Sequence, residues 1–374
     1  MLNLALRITG SLLALSFGLA AHAQNLAVVF GSHSSGPGEG FSIARFDSAT
    51  GHLTDPQLML QADAPAYFVF DPSHRFLYTC GTPAFIAAYA VDRATGHLTL
   101  LNQKPSGGGD PSYISLDKTA RFAFVANYQG GNIAAYGLRP DGGLGERSAF
   151  IQHTGHSVNP LRQTRAFAHS ILVDPSNRFV LVADLGLDKV FIYRFNAATG
   201  SLTPSDPATV QAPAGSGPRH ITFHPNGRWA YLLTEMGSSI LLYDWDAKRG
   251  TLKEKQQISA LPADFKGVST SAEIRVHPNG RFLYATNRGR NSVAVFAIDR
   301  ASGRLSPLQD IPSGGKTPRN FDFDPSGRWL LVTNHDSDTA AVFAVNPDTG
   351  LLSPAGDPVH IRHAFSPRFL PLQP

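Results

Sequence analysis

Cysteine is almost absent: Cys80 is the single one in 374 residues. That excludes an internal disulfide framework and any cysteine-rich metal site. Charge is scarce as well. Only 16% of residues are Asp, Glu, Lys or Arg, against roughly 25% in an average soluble protein. The net charge of +4 is too small for a protein that holds nucleic acid by charge. The apolar run from Ile8 to Ala20 is too short and too rich in Gly and Ser for a membrane span. Familiar chemical signatures are missing too: there is no Gly-x-Ser-x-Gly elbow, His-Glu-x-x-His helix, Walker loop or dinucleotide fingerprint.

What is plentiful is turn-forming residues, 35 Gly and 27 Pro. So many breakers with so few charges exclude a coiled coil or helical bundle and imply short strands joined by turns. The N-terminus has its own pattern. Arg7, a short apolar stretch and Ala21-His22-Ala23 read as a secretory signal peptide spanning residues 1–23. The mature protein, residues 24–374, is then expected outside the cytoplasm, periplasmic or secreted and free of the membrane. The other reading of this segment is an uncleaved anchor.

The rest of the chain repeats. Six segments centre on Arg75, Arg121, Arg178, Arg228, Arg281 and Arg328, each preceded by a turn and followed by an aromatic strand. The clearest copies are Phe223-His224-Pro225-Asn226-Gly227-Arg228-Trp229 and Phe323-Asp324-Pro325-Ser326-Gly327-Arg328-Trp329. Pro-Asn-Gly and Pro-Ser-Gly supply the fixed and the positive φ of a tight turn. A second signature follows each hairpin, as in Asp299-Arg300-Ala301-Ser302-Gly303 and Asp92-Arg93-Ala94-Thr95-Gly96. Four strands in about 50 residues is the period of a β-propeller blade. The chain starts in mid-repeat, with Leu26–Phe30 as a second strand, and Ser366–Leu372 aligns with Thr317–Phe323 as the missing first strand. The expectation is an all-β fold in one domain: a seven-bladed β-propeller with four antiparallel strands per blade. A C-terminal strand joins the N-terminal blade and closes the ring, which removes the open edge. A closed ring needs no partner, so a monomer is expected.

The register places the chemistry. With the turn Arg as position zero, positions −9 and −8 open the innermost strand and positions +6 and +7 close the next, so all emerge at one mouth of the channel. Ser112, His169, Arg219, Arg319 and Arg368 stand at −9; Tyr67, Tyr113, His220, Glu273 and Asn320 at −8. Asn127, Asp184, Thr234, Asn287 and Asn334 stand at +6; Tyr128, Glu235, Arg288 and His335 at +7. Polar residues at a channel mouth satisfy exposed strand ends in any propeller, and a need common to all blades favours one residue type at each equivalent position. His169, Arg219, Glu235 and Arg288 are each specific to one blade, which points to a pocket. His153-x-x-His156 and His360-x-x-His363 lie in loops without nearby carboxylates, so no metal is expected. Cys80 reads as a small buried residue.

Several segments together resemble the lactonase family of seven-bladed propellers, which includes a bacterial type of 6-phosphogluconolactonase and carboxy-muconate lactonising enzymes. They are Ala126-Asn127-Tyr128, Ser157-Val158-Asn159-Pro160-x-Arg162-Gln163, Ala183-Asp184-Leu185-Gly186-x-Asp188, Gly217-Pro218-Arg219-His220, Thr270-Ser271-Ala272-Glu273-Ile274, Asn287-Arg288-Gly289 and Gly314-Gly315-Lys316-x-Pro318-Arg319-Asn320. The resemblance covers essentially the whole mature chain. It implies a catalytic set of His169, Arg219, Glu235 and Arg288. In it, His169 would be general base on water, the arginines would hold the substrate anion or oxyanion, and Glu235 would orient an Arg or shuttle the proton. Asn127, Asp184, His220, Glu273, Asn287, Arg319 and Asn334 are the expected substrate-binding residues. No cofactor or metal enters this scheme; the partner is a small-molecule lactone, and nucleic acid is not one. The chain departs from the pattern at Ala166-Phe167-Ala168-His169, where many relatives read Pro-His-x-His. An exported protein does not meet a cytosolic phosphorylated lactone, so an unphosphorylated sugar lactone is the expected substrate. Two other readings remain open: a non-catalytic propeller that binds a ligand or protein, and a lactonising isomerase.

Overall fold

The computed structural model describes residues 25–34 and 36–373; the segment read as a signal peptide lies outside them. Seven sheets of antiparallel strands follow one another around the ring. Blade 1 is shared between the chain ends: from the channel outward it runs Ala364–Pro371, Asn25–Ser32, Gly40–Asp47, Gln57–Gln61. The other innermost strands are Tyr67–Phe70, Pro111–Leu116, Ala168–Val173, Pro218–Phe223, Thr270–Val276 and Pro318–Phe323, opening blades 2 to 7 in order. Blade 7 carries one extra short strand, Val359–His360, beside Thr339–Val345. The closing pair keeps register from Leu26 opposite Pro371 to Gly31 opposite Ser366. Ring closure by the C-terminal strand is therefore as the sequence predicts.

The repeated signatures are blade-to-blade contacts. After each turn Arg, the aromatic packs under the Gly of the next blade's outer turn. Trp229 meets Gly303 this way; Phe122, Phe179 and Phe282 meet Gly200, Gly250 and Gly350. Tyr231 and Tyr284 extend the contact by donating hydroxyl bonds to the carbonyls of Gly303 (2.8 Å) and Gly350 (2.6 Å). The turn arginines reach the same turns: Arg178 donates to the Ala247 carbonyl and Arg328 to Ser48 at 2.8 Å. Turn Asp174 and Asp324 accept the backbone N–H groups that follow. In blades 5 and 6, His224 and His277 replace that Asp and donate across to the next blade, to the carbonyls of Gly280 and Gly327 at 2.8 Å. The sheets pack through seven buried apolar clusters around the ring. Cys80 is among these buried residues.

Gly303 has φ of +76°, and a Cβ on it would stand 2.4 Å from the Trp229 ring. Gly356 has φ of +80° with nothing within 4 Å. Gly356→Ala should therefore cost only the backbone penalty, about 1–2 kcal/mol. Gly303→Ala should cost about 1–3 kcal/mol more, because the blade contact must open. Urea midpoints of the two variants check this; equal losses would contradict the packing account.

Candidate active site

The innermost strands and their returning partners open at one end of the ring around a cavity of about 310 Å3. Its wall includes Ser112, His169 and Arg319 from position −9 and Tyr128, Glu235 and Arg288 from position +7. This is the register the repeat predicts.

Glu235 is the hub. It is buried, and one oxygen accepts from Arg162 (2.6 Å) while the other takes Arg219 Nε (2.9 Å) and Arg288 Nη2 (3.0 Å). His169 Nε2 lies 3.8 Å from that second oxygen. Burial pushes the Glu235 carboxyl up, but Arg288 and Arg219 outweigh it and hold the group well below the usual carboxylate range. His169 moves the other way: burial first, then Arg219 and His220, drive its imidazole well below the ordinary value. The ring is neutral at neutral pH, and its Nδ1 is buried without a partner.

Arg219 departs from expectation. It is 1% exposed and does not line the cavity. It lies beneath, bonded to Glu235, to the Ala272 carbonyl and to His220 Nε2. Burial, with Arg288 beside it, lowers it to about 10. Its geometry is that of a support for Glu235, not of a group that touches substrate. His220 and Glu273 lie in the same lower layer. His220 Nδ1 faces Glu273 Oε1 at 3.0 Å, and Asn320 donates to Glu273 Oε2 at 2.6 Å. Burial takes His220 down to about 4, with Glu273 opposing. Burial raises Glu273, but His220 and Arg275 bring it to about 2. An ionised Glu273 and a neutral His220 assign the tautomer: Nδ1–H donates to Glu273 and Nε2 accepts from Arg219.

The structure also keeps four expected substrate-binding residues out of the cavity. Asn127, Asn287 and Asn334 are fully buried. Each donates its amide to a carbonyl just past the preceding blade's outer strand, Ser106 (3.1 Å), Ala260 (2.7 Å) and Ser313 (2.9 Å). They pin the crossing from one blade to the next. Asp184 accepts from the backbone of Phe167 and Gly186 and from His153, which also meets the Tyr193 hydroxyl at 2.9 Å. His153 is thereby a structural residue, and among the described residues no group of three His, Cys, Asp or Glu side chains is placed to hold a metal. Phe167 packs against Tyr128 at 4.9 Å and is not on the wall.

Arg319 does line the cavity. So do three residues the register argument left unassigned: Arg162, Asp110 and His33. Arg162 comes from the loop before blade 4, inside the Ser157–Gln163 segment that carries the family resemblance. Burial raises the Asp110 carboxyl. His33 stacks on Phe365 at 4.8 Å, and burial, with Arg319 nearby, lowers it to about 4.

A propeller whose channel mouth holds a buried carboxylate, several guanidiniums and a neutral imidazole defines a small-molecule site suited to acyl chemistry in a confined cavity. The chain belongs to the seven-bladed β-propeller lactonase family, whose model matches residues 27–367. It is 33% identical to the 6-phosphogluconolactonase of Bacillus subtilis over 297 residues, 79% of this chain and 84% of that protein. It is also 33% identical to the 6-phosphogluconolactonase of Pectobacterium carotovorum, over 74% of this chain and 79% of that protein. The solved periplasmic gluconolactonase of Pseudomonas aeruginosa superposes with a TM-score of 0.87 at 32% identity, covering 93% of this chain and 99% of that one.

Removing the hub charge tests the layering. Glu235→Gln leaves three guanidiniums around a neutral amide and should cost about 3–5 kcal/mol of stability, the usual scale for orphaning buried charges. Adding Arg219→Met should recover part of that loss. A double variant no more stable than the single one would show that Arg219 is not held by Glu235.

Proposed function

We propose that this protein is an exported lactone hydrolase that opens a sugar lactone with water, residues 1–23 being its signal peptide and 24–374 its single domain. Family membership supports the chemistry, and the likeness to a periplasmic gluconolactonase, with Ala21-His22-Ala23, supports the export. The observation that carries the reading is a neutral His169 whose Nε2 faces Glu235 across 3.8 Å on the wall of a cavity that Arg162 and Arg288 also line.

In this reading, His169 takes a proton from water as the water oxygen bonds to the lactone carbonyl carbon. Nε2 takes that proton, Nδ1 being buried, and Glu235, 3.8 Å from Nε2, steadies the imidazolium that forms by its charge. Arg288 and Arg162 face the charge that develops on the carbonyl oxygen. The ring C–O bond then breaks, and the departing ring oxygen takes the proton back from His169. Arg219 and, under it, His220 and Glu273 position Glu235 and do not meet the substrate. Phe167 leaves this scheme intact, because it lies behind Tyr128.

The pH profile checks the base. Protonated His169 is inactive, and its lowered value puts the acid limb of kcat/KM well below pH 6.5, with a plateau through neutrality. His169→Asn should abolish that limb and lower kcat by about 10²–10⁴-fold, with a smaller change in KM. Full activity in this variant would remove His169 from catalysis. Recovery of a ring-closed isomer in place of the open acid would favour the lactonising reading.

A further inference from the structure

At the end of the ring opposite the cavity mouth, the repeat is broken twice at one junction. Each hairpin turn there runs from an Asp or His to the turn Arg. Its second residue is Pro72, Pro175, Pro225, Pro278 or Pro325 in five blades, but Lys118 in blade 3. The outer turn of blade 3 departs as well. Arg121, Arg178, Arg281 and Arg328 each donate to the carbonyl three residues before the next blade's turn Gly, those of Ala197, Ala247, Pro347 and Ser48. In blade 3 that residue is Arg139, and its carbonyl already accepts the Gly142 N–H at 2.9 Å. Arg75 of blade 2 therefore finds no acceptor across the junction, and its guanidinium rests over Phe76, 5.3 Å from the ring centroid. The aromatic contact itself persists, with Tyr78 donating to the Gly142 carbonyl at 2.9 Å.

Between blades 2 and 3 this leaves a groove of about 530 Å3 with Arg75, Lys118, Arg121 and Arg139 on its walls. Among the described residues, Asp71 is the one carboxylate that lines it, and Asp71 is held within its own turn by Ser73 and the Phe76 N–H. Arg139 meets Asp141 at 3.1 Å on the surface, a pairing worth little in water. Among the described residues, no hydrogen bond or ion pair engages the side chains of Arg75 and Lys118. Arg228 also lacks an acceptor, opposite Arg300, but there Pro278 stands where blade 3 has Lys118, and no second hairpin cation arrives. Residues peculiar to one blade at repeated positions answer no need shared by the fold, and both peculiar residues here add positive charge to one groove. The groove concentrates that potential, and its forked guanidiniums match the oxygens of a phosphate. We propose that the groove between blades 2 and 3 is a second ligand site, separate from the lactone cavity, and that it takes a phosphate-bearing anion. The inference stands on these two blades and does not depend on the hydrolase reading. The shared chemistry is the phosphate group; its source is either a soluble phosphate compound or a phospholipid headgroup.

The test uses two probes at low salt: pyrophosphate by titration calorimetry, and vesicles of phosphatidylglycerol with phosphatidylcholine by co-sedimentation, against vesicles of phosphatidylcholine alone. The purified protein should bind at least one probe, less tightly as salt rises. Pyrophosphate alone assigns a soluble phosphate compound, and the anionic vesicle alone assigns a headgroup. The double variant Lys118→Gln with Arg139→Gln should weaken that binding about tenfold or more. Lys118→Arg with Arg139→Lys, which keeps both charges at the same places, should bind as the wild type does and guards against a loss that is merely misfolding. Lys248→Gln with Arg249→Gln removes the same charge from the outer turn of blade 5 and should leave binding unchanged. Absence of binding to both probes would overturn the proposal. So would equal binding by the Lys118 and Arg139 glutamine variant, which would place the anion elsewhere, as on the arginines of the mouth. An equal loss in the Lys248 and Arg249 variant would reduce the effect to net charge and overturn it too.

Discussion

The pairing of Ala364–Pro371 with Asn25–Ser32 holds the ring shut, and the site depends on it. In blade 1 the innermost strand and its neighbour come from opposite ends of the chain, with no short turn between them. Closure therefore rests on hydrogen-bond register and on packing of Val28 and Phe30 with Phe369. The same junction finishes the cavity. His33 comes from the N-terminal side and Phe365 from the C-terminal side, and they stack on each other under Arg319. One end of the molecule's polar pocket is therefore assembled only when the two chain ends meet.

Within the ring, electrostatics is layered. The upper layer gathers its cations on Glu235; the lower layer pairs Glu273 with His220 and Arg275, and Arg275 in turn with Asp322. Arg219 couples the two, touching Glu235 on one side and His220 on the other. Buried charges of this kind are tolerated when each finds counter-charge and hydrogen bonds. Arg319 is the exception among the described residues: no hydrogen bond reaches its guanidinium, which stacks 4.5 Å from the Phe365 ring centroid.

The fold was legible because every blade solves one packing problem with the same residues. A turn, an Arg, an aromatic and a distant Gly recur, since an aromatic ring can slide under the neighbouring turn only where that turn has no side chain. The face bearing the site was legible from register, which put His169, Glu235, Arg288 and Arg319 at one mouth. Depth within the channel was not legible. The same bulge recurs at His169, Arg219 and Arg319, yet Arg219 is held off the wall by Glu235, the Ala272 carbonyl and His220, while Arg319 stays on it. The Asn residues at +6 lie off the cavity, and their repetition carries the reason. Three copies of one residue at one register position mark a need shared by blades, here the anchoring of each crossing segment. Arg162 escaped the register argument because it belongs to a loop with no counterpart in the repeat.

The surplus of guanidinium at the cavity also governs the stage after the ester bond has broken. Hydrolysis of a lactone manufactures a carboxylate where a neutral ester stood. In a chamber of about 310 Å3 walled by Arg162, Arg288 and Arg319, that new charge arises beside guanidiniums instead of in open water.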